Sequence, residues 1–489
     1  MRRRLPNRRA LSMIPSTSFR DPAGRCCVGE NRVLRWIAAE HTPAFEAFLE
    51  TPFARRFTAE RRLIPTRKLG RVEREAMECL PGMDREMLAA GEIYEHERVT
   101  FPSYAWEWPA EMLHAAGELT MLLALAALAD GYGVKDATPD NVLFQGPKPI
   151  FVDVLSFEKR EPGDPVWQPY AQFVRTFLLP LLAARWWGLP LADVFITRRD
   201  GLEPETLYRW CGPLQRLRPM FLGLVTLPTW LAGRGQAPSA HHERRLADPE
   251  KARFILEMTL RRSGRVLADL KPRSGNRSTW SDYMETHSYG EAAFKLKEEF
   301  VRLVLEEARP RRVLDVGANT GHFSALAAAA GATVVAIDSD ARCAGAVWQR
   351  ALTETLNVLP LVIDIARPTP PLGWRNRECP SFLERARGGF DCLLMLAILH
   401  HLLVMERVPL EDILALAAEL TTAHLVIEWV APADEMFRRL ARGRDHLHAD
   451  LDRDAFERAC RPHFDVVRFS RVGDAHRWLY WLRKRSVKS

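Results

Sequence analysis

Residues 311–326 read RRVLDVGANTGHFSAL. RVLDV is a short apolar run, the pattern of a buried strand. GANTG follows, and then the apolar helical stretch HFSALAAAA, which Gly331 ends. A strand that turns through glycines into a helix presents the free N–H groups of the first helical turn. Gly317 lets the backbone approach a ligand with no side chain in the way, and Gly321 permits the turn into the helix. This segment therefore predicts a pocket for a nucleotide-like ligand. A dinucleotide fingerprint would read GxGxxG. Asn319 stands at the middle position, which argues against that ligand.

The alternation continues outward. TVVAID is the next strand, and it ends in Asp338, 21 positions after Gly317. A carboxylate there can accept both hydroxyls of a ribose. PLVIDI is a third strand, and its Asp364 is placed to meet an adenine edge. FDCLLMLA and HLVIEWV are further apolar strands, with the helix PLEDILALAAEL between them. Near-continuous apolar strands separated by helices imply a parallel sheet covered on both faces. FDVVRFSRV and HRWLYWLRKR, joined by a short connection, read as an antiparallel pair that closes the sheet.

VLDVGANTGHFS together with VVAIDSD resembles the class I S-adenosylmethionine-dependent methyltransferases. The resemblance implies an α/β, Rossmann-like seven-stranded sheet with an antiparallel closing hairpin, and S-adenosyl-L-methionine as cofactor. The implied cofactor-binding set is Asp315, Gly317, Asn319, Gly321, Asp338 and Asp364. ARPTPPLGWRNRECPSFLERARGGFDCLLMLAILHHL and LVIEWVAPADEMFRRLARGRD resemble a bacterial subgroup that includes nodulation-protein-like methyltransferases. The recurring positions of that subgroup fall on Trp374, Glu378, His400, His401 and Glu428.

A sulfonium donor transfers its methyl in an in-line displacement, so the protein's main task is alignment. A base is needed only where the acceptor must lose a proton. His400, His401 and Glu428 are the candidate catalytic residues, since open α/β sheets place ligands at the carboxyl ends of their strands. Consecutive histidines on a helix point about 100° apart, so one of the pair is expected to face the cleft. Each of the three also has an ordinary structural role open to it, as a packing or capping group. Trp374 is a candidate substrate lid, and Tyr283 and Tyr289 are candidate wall residues, with Tyr289 assigned to the substrate.

A second constellation lies upstream in ALADGYGVKDATPDNVLFQGPKPIFVDVLSFE. A long apolar helix from about residue 110 to 129 leads into it. Asn141 follows Asp136 by five positions, and Asp153 ends the next strand. The order D-x4-N…D resembles the catalytic loop of protein kinases and aminoglycoside phosphotransferases. The resemblance implies an α+β kinase-like domain in which the first Asp accepts a hydroxyl proton, while Asn and the last Asp hold magnesium. ATP and magnesium are accordingly candidate ligands. The departures are a missing upstream glycine-rich loop, no clear strand lysine beyond Lys68, and DVLSF without the usual glycine. An active phosphotransferase, a nucleotide-binding or inert pseudokinase, and an ordinary turn whose Asp and Asn cap neighbouring helices all remain open.

The chain has 489 residues, 47% hydrophobic, enough for more than one core. The expected organisation is a disordered basic tail at 1–29, a kinase-like domain at 30–235, a linker at 236–280 and a methyltransferase domain at 281–489. Eight scattered cysteines without CxxC spacing point away from a disulfide framework or a zinc site. No metal site is expected in the methyltransferase half, and the expected location is the cytoplasm. The apolar runs LTMLLALAALA and FLLPLLAA are too short to span a bilayer, so no membrane partner is expected. A net charge of +7 permits a nucleic-acid partner without arguing for one. The expected activity is O- or N-methylation of a small hydroxylated metabolite or carbohydrate. The alternatives are a bifunctional kinase-methyltransferase and a non-catalytic pseudokinase scaffold whose other half senses cofactor.

Overall fold

The computed structural model describes residues 21–29, 32–78, 90–232, 245–272, 291–448, 450–473 and 476–486. Its first sheet is antiparallel and four-stranded, in the order β1-β2-β4-β3. The strands are β1 (Gly24–Val28), β2 (Val33–Ala38), β3 (Thr66–Lys68) and β4 (Gly91–His96). Two helices, Thr42–Leu49 and Pro52–Ala59, follow β2. Thr51 caps the second by accepting the Ala54 N–H at 3.1 Å, with Pro52 in the first turn. Phe45, Phe48, Phe53 and Phe57 are buried between sheet and helices, and Phe48 stacks on Phe157 at 4.9 Å.

The chain then enters a helical region. The Ala110–Ala127 helix is followed by two small antiparallel pairs. β5 (Tyr132–Val134) pairs with β8 (Phe157–Lys159), and β6 (Val142–Gln145) pairs with β7 (Lys148–Phe151). By length and hydropathy the stretch Ala110–Asp130 could cross a membrane, but 67% of its apolar window is buried inside the protein. It is the central core helix of this half. The FLLPLLAA stretch is likewise buried, as a π-bulge over Val174–Leu178 that runs into the Leu179–Trp187 helix.

Two expected boundaries are corrected here. β1 belongs to the first sheet and not to a tail, because it pairs with β2 along its whole length. The expected linker contains a 21-residue helix, Pro249–Asp269, capped by Asp248. Ala252, Leu256, Leu260, Ser263 and Leu267 form its buried stripe. The stripe packs on the Ala110–Ala127 helix, and the His114 ring meets the Leu267 carbonyl at 3.0 Å. Charged residues between these positions hid a regular helical period.

The second sheet has seven strands in the order β11-β10-β9-β12-β13-β15-β14. They are β9 (Arg312–Val316), β10 (Thr333–Asp338), β11 (Val358–Val362), β12 (Phe390–Met395), β13 (Thr421–Val430), β14 (Phe464–Arg471) and β15 (Arg477–Lys484). The five strands β9 to β13 pair in parallel, while β15 pairs antiparallel with both β13 and β14. Successive residues of β9 serve opposite faces. Val313 packs with Val301, Val304 and Leu305 of the Glu291–Ala308 helix. Leu314 belongs to a core that continues without a break into the first half of the chain.

The seam between the halves is well built. Glu107, fully buried, pairs with Arg385 and accepts the Thr369 hydroxyl at 2.6 Å. The Arg385 guanidinium lies over the rings of Phe101 and Tyr104, and Phe101 packs against Phe382 and Phe390. Trp348 donates its indole N–H to the Pro147 carbonyl at 3.0 Å. A switch at β9 then sends β10 and β12 to opposite sides of one strand, and such a point opens a crevice beyond the strand ends.

Candidate functional site

At that crevice lies a cavity of about 380 Å³. Asp315, Gly317, Asn319, Asp338, Asp364 and His401 all contribute to its wall. Gly317 adopts φ +73° and Gly321 φ +77°, both left-handed. A Cβ on Gly317 would sit 3.1 Å from Ile398, and one on Gly321 would sit 2.8 Å from Val347. Asn319 holds φ +49°, which asparagine tolerates better than most residues. Gly321 caps the His322–Ala329 helix without a side chain, so the helix amino end is not covered by a capping group.

Asp338 anchors this loop. One carboxylate oxygen accepts the Asn319 N–H at 2.8 Å and the other the Asp340 N–H at 2.9 Å. Burial raises its pKa, against the pull of those two hydrogen bonds. Asp315 is buried at the end of β9 and accepts the Ser324 hydroxyl at 2.6 Å. Burial pushes its carboxyl up to about 6, with the Ser324 hydrogen bond opposing and Asp338 adding. Asp364 accepts the Ala366 N–H at 3.0 Å. Beside it, Arg367 forms a two-pronged pair with Glu406 at 2.8 and 3.0 Å across the rim.

The donor set fits S-adenosylmethionine. Asp338 would hold the ribose hydroxyls, Asp364 with Ile365 would border the base, and Asp315 would face the ammonium of the methionyl end. Sequence reasoning missed Lys297, Phe294, Ile398 and Met405, which also line this wall. Lys297 could not have been found locally, because it comes from the helix before β9 and meets its partner 131 positions away.

Of the two adjacent histidines, which open the Leu399–Val404 helix, His401 lines the cavity. Burial, and then the Arg477 charge, hold its pKa below the ordinary value. Its Nδ1 meets the Met405 sulfur at 3.4 Å. His400 points into the core, 1% exposed, with neither ring nitrogen hydrogen-bonded. Burial holds it well below its ordinary pKa.

Glu428 does not match the catalytic expectation. It is fully buried in β13, and it does not reach the cavity wall. Lys297 Nζ donates to it at 2.6 Å, and Arg477 lies 3.5 Å from its other oxygen. Arg477 in turn binds Asp434 at 2.7 and 3.0 Å. Glu428 therefore ties the Glu291–Ala308 helix to the end of the sheet.

Trp374 does not match the lid expectation either. It is exposed and lies off the cavity, and its backbone N–H donates to Glu378 at 2.8 Å. Glu378 also pairs with Arg199, which reaches Asp140 at 3.2 Å. The Gly-Trp loop is thus clasped to the first half of the chain. Tyr283 and Tyr289 lie outside the described residues.

The residues of the second constellation do converge. Asn141 donates to the Asp136 carbonyl at 3.0 Å and to the Ser156 hydroxyl at 3.2 Å. Ser156 donates to one oxygen of Asp153 at 2.6 Å, and Arg35 of β2 pairs with the other at 3.0 Å. Arg35 also donates to the His96 ring at 3.0 Å. Burial and this guanidinium push His96 down to about 3. Among the described residues, the Asp136 carboxylate receives only a long contact from Gln172, at 3.4 Å. Lys135 pairs with Asp21 at 3.0 Å. Lys68 is half-exposed and bound to Glu46, so it is not the cation of this cluster. Arg35 is, and its only sequence signal is a base inside the otherwise apolar strand VLRWIA.

Residues 289–472 match a family model described as a methyltransferase domain. The whole chain is 27% identical to nodulation protein NoeA of Rhizobium meliloti strain 1021, over 95% of this chain and 94% of NoeA. The N-methyltransferase NodS of Bradyrhizobium japonicum WM9, solved with S-adenosyl-L-homocysteine, is 14% identical. That match covers 43% of this chain and 100% of NodS, with a TM-score of 0.30. The bifunctional kinase-methyltransferase WbdD is 18% identical over 39% of this chain and 38% of its own, with a TM-score of 0.27. The C-terminal half of this protein is a methyltransferase domain, and the protein is an S-adenosylmethionine-dependent methyltransferase.

Proposed function

We propose that this protein methylates a hydroxyl or amino group of a small hydroxylated metabolite or carbohydrate. The observation that carries the reading is His401 on the wall of the cavity that also holds the glycine loop and Asp338. The cofactor supplies a methyl group on a sulfonium, ready for displacement. The chain supplies the rest. Asp338 and Asp364 would hold the nucleoside end, and Asp315 would hold the ammonium. Orientation of this kind lowers a barrier by roughly 7–11 kcal/mol in favourable cases. With its pKa held down, His401 is neutral at physiological pH and accepts the proton that an O–H or N–H acceptor gives up.

The test uses methyl-labelled cofactor with a panel of amino sugars, sugar alcohols and phenols. Label should appear in a small-molecule product. His401→Gln should slow that transfer about a hundredfold, with cofactor affinity unchanged. Label found only in RNA or protein, or an unchanged rate in His401→Gln, overturns the reading.

For the N-terminal half we propose a kinase-like scaffold that does not transfer phosphate. Both oxygens of Asp153 are engaged, one by Arg35 and one by Ser156, and the Asn141 amide is turned onto Asp136 and Ser156. ATP with magnesium should leave the melting temperature unchanged. Magnesium-dependent ATP turnover that Asp136→Ala abolishes would instead establish the bifunctional alternative.

A further inference from the structure

The helices from Pro204 to Ala232 serve neither cluster described above. They run Pro204–Trp210, Pro213–Arg216 and then the apolar stretch Pro219–Ala232. The inner side of the last stretch is core, with Phe221, Leu224 and Val225 buried. Its outer side should be polar in an amphipathic helix that meets water. Leu227, Trp230 and Leu231, spaced i, i+3 and i+4, face solvent instead, and Leu231 is 64% exposed. Leu214, 84% exposed, and Leu217, 64% exposed, stand on the adjoining turn.

These residues make one surface. Trp230 donates its indole N–H to the Tyr208 hydroxyl at 3.1 Å, and the Arg216 guanidinium lies 3.9 Å over the Tyr208 ring. The Arg218 guanidinium covers the ring of Trp186, itself packed on Phe221. Single exposed leucines are common on soluble proteins, whereas a contiguous apolar face marks an interaction site.

The charge around the face selects its partner. Over the helices from Pro204 to Ala232 the sequence carries Arg209, Arg216 and Arg218 against the single acid Glu205. Two copies of the face would bring like charge to like charge, which disfavours self-association. Leucines that enter an acyl layer, tryptophan at the boundary and guanidinium groups for lipid phosphates are the chemistry of an interfacial anchor. We propose that this face docks the protein peripherally on a bilayer of anionic phospholipid. The expectation of no membrane partner rested on the length of apolar runs, and a surface anchor has no spanning run to find.

Sedimentation of the full chain with vesicles tests the proposal. Vesicles of equal parts phosphatidylcholine and phosphatidylglycerol should carry the protein down at low salt, and pure phosphatidylcholine should not. Arg209→Gln with Arg218→Gln should weaken binding about thirtyfold, which corresponds to about 1 kcal/mol per arginine. Leu214→Glu, Leu217→Glu and Leu231→Glu together should abolish it. Cofactor affinity by calorimetry should match wild type in both variants, which shows that they are folded. No sedimentation with the anionic vesicles, or equal sedimentation with both kinds, overturns the proposal. So does a concentration-dependent dimer that the triple variant dissociates, because the face would then belong to a second copy.

Discussion

Asp338 and Asp153 invite comparison. Each ends or follows a short strand, each is followed by a turn, and each belongs to a trio of polar residues that the sequence marks as a ligand site. Their surroundings are opposite. The oxygens of Asp338 meet backbone N–H groups at the edge of a 380 Å³ cavity, and Asp315, a second buried acid, stands on the same wall. Burial, with Asp338 adding, raises the pKa of Asp315, a cost that a cationic, hydroxyl-bearing ligand removes. Asp153 already has its cation in Arg35 and its hydroxyl in Ser156. Similar residue types thus give an open site where Asp338 meets backbone N–H groups at a cavity edge, and a closed one where the fold provides Asp153 with a cation.

The strongest test of treating the halves as two sites in one body is the seam. Arg385→Ala leaves Glu107 buried without its cation, and breaking such a pair costs about 3–5 kcal/mol. Thermal or urea unfolding should show a lower midpoint with both halves still lost in one transition. Two separate transitions in the wild type would break the comparison, because each half would then be an independent domain. Next in size is Asp338→Ala. Loss of a charged hydrogen-bonding partner is worth about 1.5–3 kcal/mol, so cofactor affinity by calorimetry should fall roughly ten- to a hundredfold. Asp153→Ala should leave cofactor affinity unchanged, and an equal loss in both variants would erase the contrast.

What the sequence disclosed follows the range of the interactions involved. The glycine loop and Asp338 lie within one βαβ unit, so spacing alone brings them together. The closing pair β14–β15 was legible for the same reason. Glu428 read as catalytic because it ends a strand, and only the fold brings Lys297 and Arg477 against it. Arg35 is more than a hundred positions from Asp153, with no local pattern to announce the contact. Trp374 sits in a loop that looked like a lid, but its place is set by Arg199 from the other half. The Pro249–Asp269 helix was missed although its buried stripe is regular, because charged residues between the apolar ones dominate its composition.

The open site should also respond to pH. Asp315 titrates near 6 in the folded protein, against about 3.9 when unfolded. The folded state therefore binds the extra proton between those values. The stabilisation is fully present below the unfolded value and is lost as pH rises through about 6. A cofactor ammonium selects the charged carboxylate, so affinity should drop as pH falls below about 6, by up to roughly tenfold per unit. Calorimetry from pH 5 to 8 checks this, and Asp315→Asn should flatten the profile while raising the apo melting point at neutral pH. A flat wild-type profile would mean that Asp315 does not face the ammonium.

The smallest expected effect sharpens the contrast most. The Asp136 carboxylate is partly exposed and, among the described residues, holds only the long contact from Gln172. The bond from Asn141 goes to its backbone carbonyl, which alanine keeps. Asp136→Ala should therefore change stability by less than about 0.5 kcal/mol and leave methyl transfer at the wild-type rate. A nearby link between the two halves runs through Asp140, Arg199 and Glu378 to the Gly-Trp loop, and it does not involve the Asp136 side chain. If methyl transfer slowed tenfold in Asp136→Ala while the melting temperature held, the N-terminal cluster would be coupled to the reaction. Arg199→Ala would then show whether the coupling passes through the clasp, since it severs the route and leaves both sites otherwise intact.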